Sequence, residues 1–253
     1  IGRINRRMSI YACIALVLAA VVYFIYAGHF HKQGTTAVAV PSGSIRMAVI
    51  SDIHVSNDAY KLERLKTAVD RINGEGADVV FLTGDVVSRV FDNPEAEECF
   101  IDPLKAELDR LKMPWRIALG NHDYRHDDSM DSDTPKPYDH IQRMETIWQE
   151  RAGVKPYDAF KVGDWSFIML NAYRARIDGR FFDDKQLEWF KNELAGAKYA
   201  VILHHYPLTT DRLMQFAKRH EDLIDPEREE EYFNLLRQNT GKIKAIFVGH
   251  GHH

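Results

Sequence analysis

Six short apolar runs constrain this chain more than any other feature. They are "MAVIS" (47–51), "DVVFLTG" (78–84), "WRIALG" (115–120), "SFIMLN" (166–171), "YAVILH" (199–204) and "IKAIFVG" (243–249). Each is too short for a typical helix, and most are rich in Val, Ile and Phe, which predicts buried strands. Between them lie segments of helical period. Residues 59–73 carry Leu62, Leu65, Val69 and Ile72 on one face and stop at Gly74. Residues 94–111 open with Pro94 behind Asn93 and bury Ile101, Leu104, Leu108 and Leu111. Asp183 and Asp184 cap a helix holding Leu187, Phe190 and Leu194, and Pro226 opens another with Phe233 and Leu236. Strands alternating with helices predict an α/β domain with a largely buried sheet.

Five of the six runs end in residue types that bind metals. "SDIH" places Asp52 and His54 after the first, "TGD" places Asp85 after the second, and "GNHD" places Asn121, His122 and Asp123 after the third. "LHHYP" supplies His204 and His205, and "GHGHH" supplies His250 and His252. Ligand crevices of open α/β sheets lie beyond the carboxyl ends of their strands, so loops far apart in sequence converge there. A mixed oxygen and nitrogen set without thiolate suits manganese, iron or zinc. The set is too large for one tetrahedral ion. It suits two divalent ions about 3.5–4 Å apart that share a carboxylate and activate water for in-line attack at phosphorus. Taken singly, the same residues have ordinary readings: Asp52 and Asp85 as helix caps, Asn121 as a turn residue and His122 as a hydrogen-bonded core histidine.

The order D-x-H, G-D, G-N-H-D, H-x-P, G-H-x-H resembles the calcineurin-like metallophosphoesterase superfamily, which includes the purple acid phosphatases. The resemblance covers residues 45–253. It implies a four-layer α/β/β/α sandwich around a dinuclear metal centre. It further implies that Asp52, His54 and His252 bind one ion, that Asp85 bridges, and that Asn121, His205 and His250 complete the second site. In "LHHYP" the ligand of the family lies two residues before proline, which selects His205 and leaves His204 as an orienting or packing neighbour. His122 is implied as the residue that stabilises the transition state or protonates the leaving oxygen, with Asp123 orienting its ring. The family continues past the last histidine loop with strands that cover the sheet, so the resemblance also implies that the chain is a fragment. The expected function is hydrolysis of phosphomonoesters or phosphodiesters. The alternative is an inactive member serving as a binding or scaffold module.

Substrate contacts are less well marked. "YRARIDGR" offers Arg174, Arg176 and Arg180 to a phosphate, with a solvated loop as the other reading. The acidic stretch Tyr124–His140 reads as a lid over the site, where Tyr124 or His126 would touch substrate, or as an insertion. With 33 Lys and Arg against 37 Asp and Glu, the net charge is −4. No sustained basic run appears, so electrostatics gives nucleic acid little support as a partner. Cys13 and Cys99 are the only cysteines and make no disulfide framework.

The N-terminus points to a membrane. "IYACIALVLAAVVYFIYA" (10–27) carries no charge, and as a helix it would rise roughly 27 Å, near the hydrocarbon thickness of a bilayer. Tyr23 and Tyr26 lie at one end, where aromatic rings favour the interface. Arg3, Arg6 and Arg7 precede the run and only Lys32 follows closely, so the positive-inside bias sets the rest of the chain outside the cytoplasm. The expected organisation is a basic cytoplasmic stub over 1–9, a single-pass signal-anchor over 10–28, a linker over 29–44 and the metallophosphoesterase domain over 45–253. The competing reading is a cleaved signal peptide. Initiation at Met8 would remove the three arginines and weaken the orientation.

Overall fold

The computed structural model describes residues 22–24, 44–92, 98–131, 136–173, 182–209, 223–227 and 229–252. Among the described residues eight strands form two four-stranded sheets, in the orders β1-β2-β3-β4 and β5-β6-β7-β8. The first holds β1 (Val22–Phe24), β2 (Met47–Ile50), β3 (Val79–Leu82) and β4 (Trp115–Ile117), all parallel. The second holds β5 (Asp158–Val162), β6 (Trp165–Met169), β7 (Tyr199–Leu203) and β8 (Ile243–Phe247). Here β5 is antiparallel to β6, and β6, β7 and β8 run parallel. All six expected strands are present.

Their unbroken apolar character has a direct cause, because both faces of each sheet are covered. Met47, Val49, Val79, Phe81, Phe167, Met169, Val201, Leu203 and Phe247 form a buried cluster between the sheets, where Phe81 stacks on Phe167 at 4.8 Å. The alternate residues Ala48, Ile50, Val80, Leu82, Ile168, Ala200 and Ile202 belong to the cluster shared with the helices. Period-two alternation thus sorts two apolar sets onto two interfaces, giving helix, sheet, sheet and helix layers.

Among the described residues five α-helices cover the sheets: α1 (Ala59–Glu75), α2 (Ile101–Leu108), α3 (Tyr138–Ala152), α4 (Asp184–Gly196) and α5 (Glu230–Gln238). The first three pack in series, and α4 packs on α5 and β6. Helix α1 runs two residues beyond its expected stop. Gly74 is helical, and Gly76, at φ +69°, supplies the left-handed cap. Helix α2 begins later than expected, at Ile101, after Cys99 pairs in a bridge with Phe91. The Asp183 side chain accepts from the Gln186 amide at 2.8 Å, so the expected cap is in place.

Of the N-terminal run only residues 22–24 are described. Val22–Phe24 lie within the expected membrane helix, yet they form an edge strand parallel to β2. The β-branched and aromatic side chains of Val-Tyr-Phe suit a strand, and the β2 edge offers backbone partners. The remainder of 10–28 lies outside the described residues. Among the described residues no helix is long and apolar enough to cross a membrane.

Candidate metal centre

Because β2, β3, β4, β7 and β8 have parallel neighbours, their C-terminal ends share one edge of the sandwich. The loops that leave this edge carry all seven residues expected to bind metal. Asp52 and His54 follow β2, Asp85 follows β3, Asn121 follows β4, His205 follows β7, and His250 and His252 follow β8. Backbone hydrogen bonds hold the loops in register past the strand ends. Asp52 N donates to Gly84 O (3.1 Å), His54 N to Asp85 O (3.0 Å) and Gly249 N to His205 O (2.9 Å).

Three groups of potential ligand atoms result: Asp52, His54 and His252; His54, Asp85 and His122; and Asp85, His205 and His250. His54 Nε2 faces His252 Nε2 at 3.2 Å, and His252 Nε2 lies 3.3 Å from Asp52 Oδ1. His205 Nε2 lies 3.1 Å from Asp85 Oδ2 and 3.3 Å from His250 Nδ1. Asp85 stands between the two sets, its Oδ2 also 3.8 Å from His54 Nε2. Asn121 is buried beside them. Nitrogens bound tetrahedrally to zinc at roughly 2.0–2.1 Å lie about 3.3 Å apart, so the spacing and donor types fit divalent ions.

The backbone gives independent support. Among the described residues the positive-φ positions other than glycine are Asp52 (54°), His54 (54°), Asp85 (50°), His250 (69°) and His252 (48°). An L-residue held there costs about 1–2 kcal/mol. Strain confined to five of the seven expected ligands is what a site assembled for function produces.

The His205 ring is fixed from behind. His205 is fully buried, and its Nδ1 lies 2.7 Å from Thr83 O. A carbonyl can only accept, so Nδ1 carries the proton and Nε2 faces Asp85 and His250. Burial pulls the His205 proton affinity down, but Asp85 and Asp52 outweigh it and raise the pKa to about 9. Burial alone would raise the Asp85 carboxyl, yet His205, His122 and His54 hold it well below the usual carboxylate range. Burial lowers His54 to about 4 despite Asp85. His204 is the packing neighbour. It is also fully buried, with Nε2 3.0 Å from the Tyr232 hydroxyl and its ring edge-on to Phe182.

Two expectations are corrected. Asp123 does not orient His122. Its Oδ1 accepts from the amides of Val86 (3.0 Å) and Val87 (3.1 Å), and its Oδ2 from that of Gly120 (2.8 Å). The carboxylate therefore ties the loop after β3 to the loop after β4. The His122 ring is set by a backbone group, with Nδ1 3.0 Å from Ser88 O. Ser88 also donates its hydroxyl to His54 O at 3.0 Å, and the His54 and His122 rings meet edge to face at 4.6 Å. Tyr124, expected to touch substrate, is fully buried against Tyr173, with its hydroxyl bonded to Asn171 and Glu145. It belongs to the support of the site and not to its surface. Arg174, Arg176 and Arg180 lie outside the described residues.

Ser88 and Thr83 went unmarked in the sequence because they act through carbonyl oxygens, which every residue has. Trp148 adds a further brace, its indole N–H donating to Asp123 O at 2.8 Å.

Parallel strands from two stacked sheets that deliver carboxylates and imidazoles to one shared edge define the class, a metallophosphoesterase sandwich. The model of the calcineurin-like phosphoesterase family matches residues 45–253, and the chain belongs to that family. Among solved structures it is similar to a dimetal phosphatase from Danio rerio, at 14% identity over 81% of this chain and 80% of that one, with a TM-score of 0.55. It is also similar to GAP50, the anchor in the inner membrane complex of Plasmodium, at 12% identity over 78% and 63% of the two chains, with a TM-score of 0.44. At 14% identity the first likeness speaks to the fold alone. Comparison with curated proteins finds no match.

Proposed function

We propose that the chain is a two-metal phosphohydrolase acting on phosphomonoesters or phosphodiesters. The observation that carries this reading is the confinement of positive-φ strain to ligand-type residues whose side chains converge at one edge. Asp52, His54 and His252 would hold one divalent ion of the manganese, iron or zinc type. Asn121, His205 and His250 would hold the other, with Asp85 shared. The bound ions would supply Lewis acidity toward phosphoryl oxygens and an acidified water.

The remaining chemistry belongs to the chain. With its Nδ1–H committed to Ser88 O, His122 presents Nε2 as the nitrogen that protonates the departing oxygen. Asp85 accepts the His122 backbone amide through Oδ1 at 2.9 Å, which fixes the distance between the shared carboxylate and that acid. Manganese- or zinc-loaded protein should cleave nitrophenyl phosphate or bis-nitrophenyl phosphate. His122→Ala should lower kcat by about 10²–10⁴-fold while both metals stay bound. Wild-type protein that holds two metals and cleaves neither ester would refute the reading.

We further propose that the charge-free run 10–27 attaches the domain to a membrane with the site outside the cytoplasm, supported by the arginines that precede it. The edge strand at Val22–Phe24 is the competing state of the same segment. Alkaline extraction of membranes separates the two, since release of the full chain into the soluble fraction would leave the strand as its resting place.

A further inference from the structure

We propose that Gly84, Gly120 and Gly249 are positioning residues that together form a slot for a single imidazole, that of His205. The proposal rests on the two-metal reading for its purpose. Its geometry stands apart from that reading.

The three glycines come from three different loops, yet each faces the same ring. A Cβ on Gly84 would lie 2.6 Å from His205 Nδ1 and 2.8 Å from its Cγ. One on Gly120 would lie 2.8 Å from His205 Cδ2 and collide with Asp85 Oδ1. One on Gly249 would lie 2.9 Å from His205 Nδ1 and 2.6 Å from Thr83 O, the acceptor of the ring proton, and would collide with Ser51 Oγ. Six other glycines among the described residues meet no such demand. Gly74, Gly153, Gly163, Gly196 and Gly241 have nothing within 4 Å of that position, and Gly76 has only an arginine side chain at 3.5 Å.

The consequence is a ring without lateral freedom. Three backbones press on its faces and edge, Thr83 O holds Nδ1, and Nε2 can point only toward Asp85 and His250. A histidine ligand at the end of a loop ordinarily loses rotamer freedom when it binds. In this slot that loss has been taken during folding, so the imidazole is presented in its binding pose. Gly84 adopts φ +88°, so a side chain there is strained whatever the space, and the other two glycines give the cleaner test.

The test is a double-mutant cycle in the full chain: Gly249→Ala and Gly120→Ala, each with and without His205→Asn, and Gly241→Ala as control. Mn²⁺ and Zn²⁺ titrations with elemental analysis read metal binding, and proton NMR of the metal-free protein reads the hydrogen-bonded ring N–H resonance that His205→Asn removes. Each slot variant should weaken one of the two metal positions by about 10–100-fold and shift or abolish that resonance. In the His205→Asn background the part of each loss that passes through the ring should vanish while the part due to Asp85, Ser51 or Thr83 remains. Each double variant should therefore lose less than the product of its two single losses, and Gly241→Ala should change nothing. Losses that multiply independently of residue 205, or an unchanged resonance, overturn the proposal. If wild-type protein binds no metal, the two-metal reading falls, and the slot is decided by the resonance alone. If both alanine variants fail to fold, restoration of folding by His205→Asn supports the slot, and failure to restore overturns it.

Discussion

Asp123→Asn discriminates sharply between two roles for a carboxylate beside the histidine proposed as general acid. In the structure Oδ1 takes two backbone amides and Oδ2 takes one. An asparagine in the same rotamer keeps its oxygen on Val86 and Val87 and turns its NH₂ toward the Gly120 N–H. One hydrogen bond to a charged acceptor is lost, at about 1.5–3 kcal/mol, and a buried donor is left facing a donor, at about 1–3 kcal/mol. Relief of repulsion works the other way, since burial and the Asp85 charge push this carboxyl up to about 7. A net loss of about 2–4 kcal/mol is expected, which for a domain of this size lowers Tm by about 5–15 °C. Because His122 is oriented by Ser88 O, kcat of the folded variant should stay within about tenfold of wild type. Thermal unfolding followed by circular dichroism, with kcat measured well below the new Tm, reads both quantities. An unchanged Tm with a hundredfold drop in kcat would sink the reasoning and restore Asp123 as the partner of His122.

Other expectations follow from the same geometry. Metal loading of the metal-free protein at pH 7 should release a proton into an indicator dye, because Asp85 and Asp52 keep His205 protonated to about pH 9 and a ligand imidazole must be neutral. Metal affinity should accordingly weaken as pH falls, and uptake without proton release would contradict the assignment. Without metal, the sign for stability is that of a raised histidine. The ion pair contributes fully below the ordinary imidazole pKa, and its contribution is lost as pH rises through about 9. Phe81→Ala, which empties the stack on Phe167 between the sheets, should destabilise by about 3–5 kcal/mol in denaturant melts. Tyr124→Phe removes a buried hydroxyl with two partners. It should cost about 1 kcal/mol and leave KM unchanged, whereas a raised KM would return Tyr124 to the substrate surface.

How much of this was legible in the sequence depends on where each interaction keeps its information. Strands buried on both faces announce themselves as apolar runs, so β2, β3, β4, β6, β7 and β8 were readable. Strand β5, "DAFKV", is half-exposed and alternates, and it becomes a strand by pairing with β6 across a turn at Gly163. Helix α3 was hidden because it opens at Tyr138, inside an acidic, proline-containing stretch, although Ile141, Met144 and Trp148 form its buried face. At the site, side-chain chemistry was visible after five of the six expected strands. The orienting groups were not: Thr83 and Ser88 work through carbonyls, and Asp123 is satisfied by amides. The glycines of "TGD", "LGN" and "VGH" were in plain view, but what they make room for belongs to a fourth loop.

The opposition of His54 and His252 has one more consequence. Their Nε2 atoms face each other at 3.2 Å across a sequence separation of 198 residues, and Asp52 joins them at 3.3 Å. An ion gripped from both sides would act as a clasp between the first and last ligand loops of the domain. A cross-link over that span removes about 5 kcal/mol of chain entropy from the unfolded ensemble in the loop-closure model. A chelator would then unfasten the molecule as well as silence it, and hydrogen exchange should quicken together at two places that the chain itself keeps a whole domain apart.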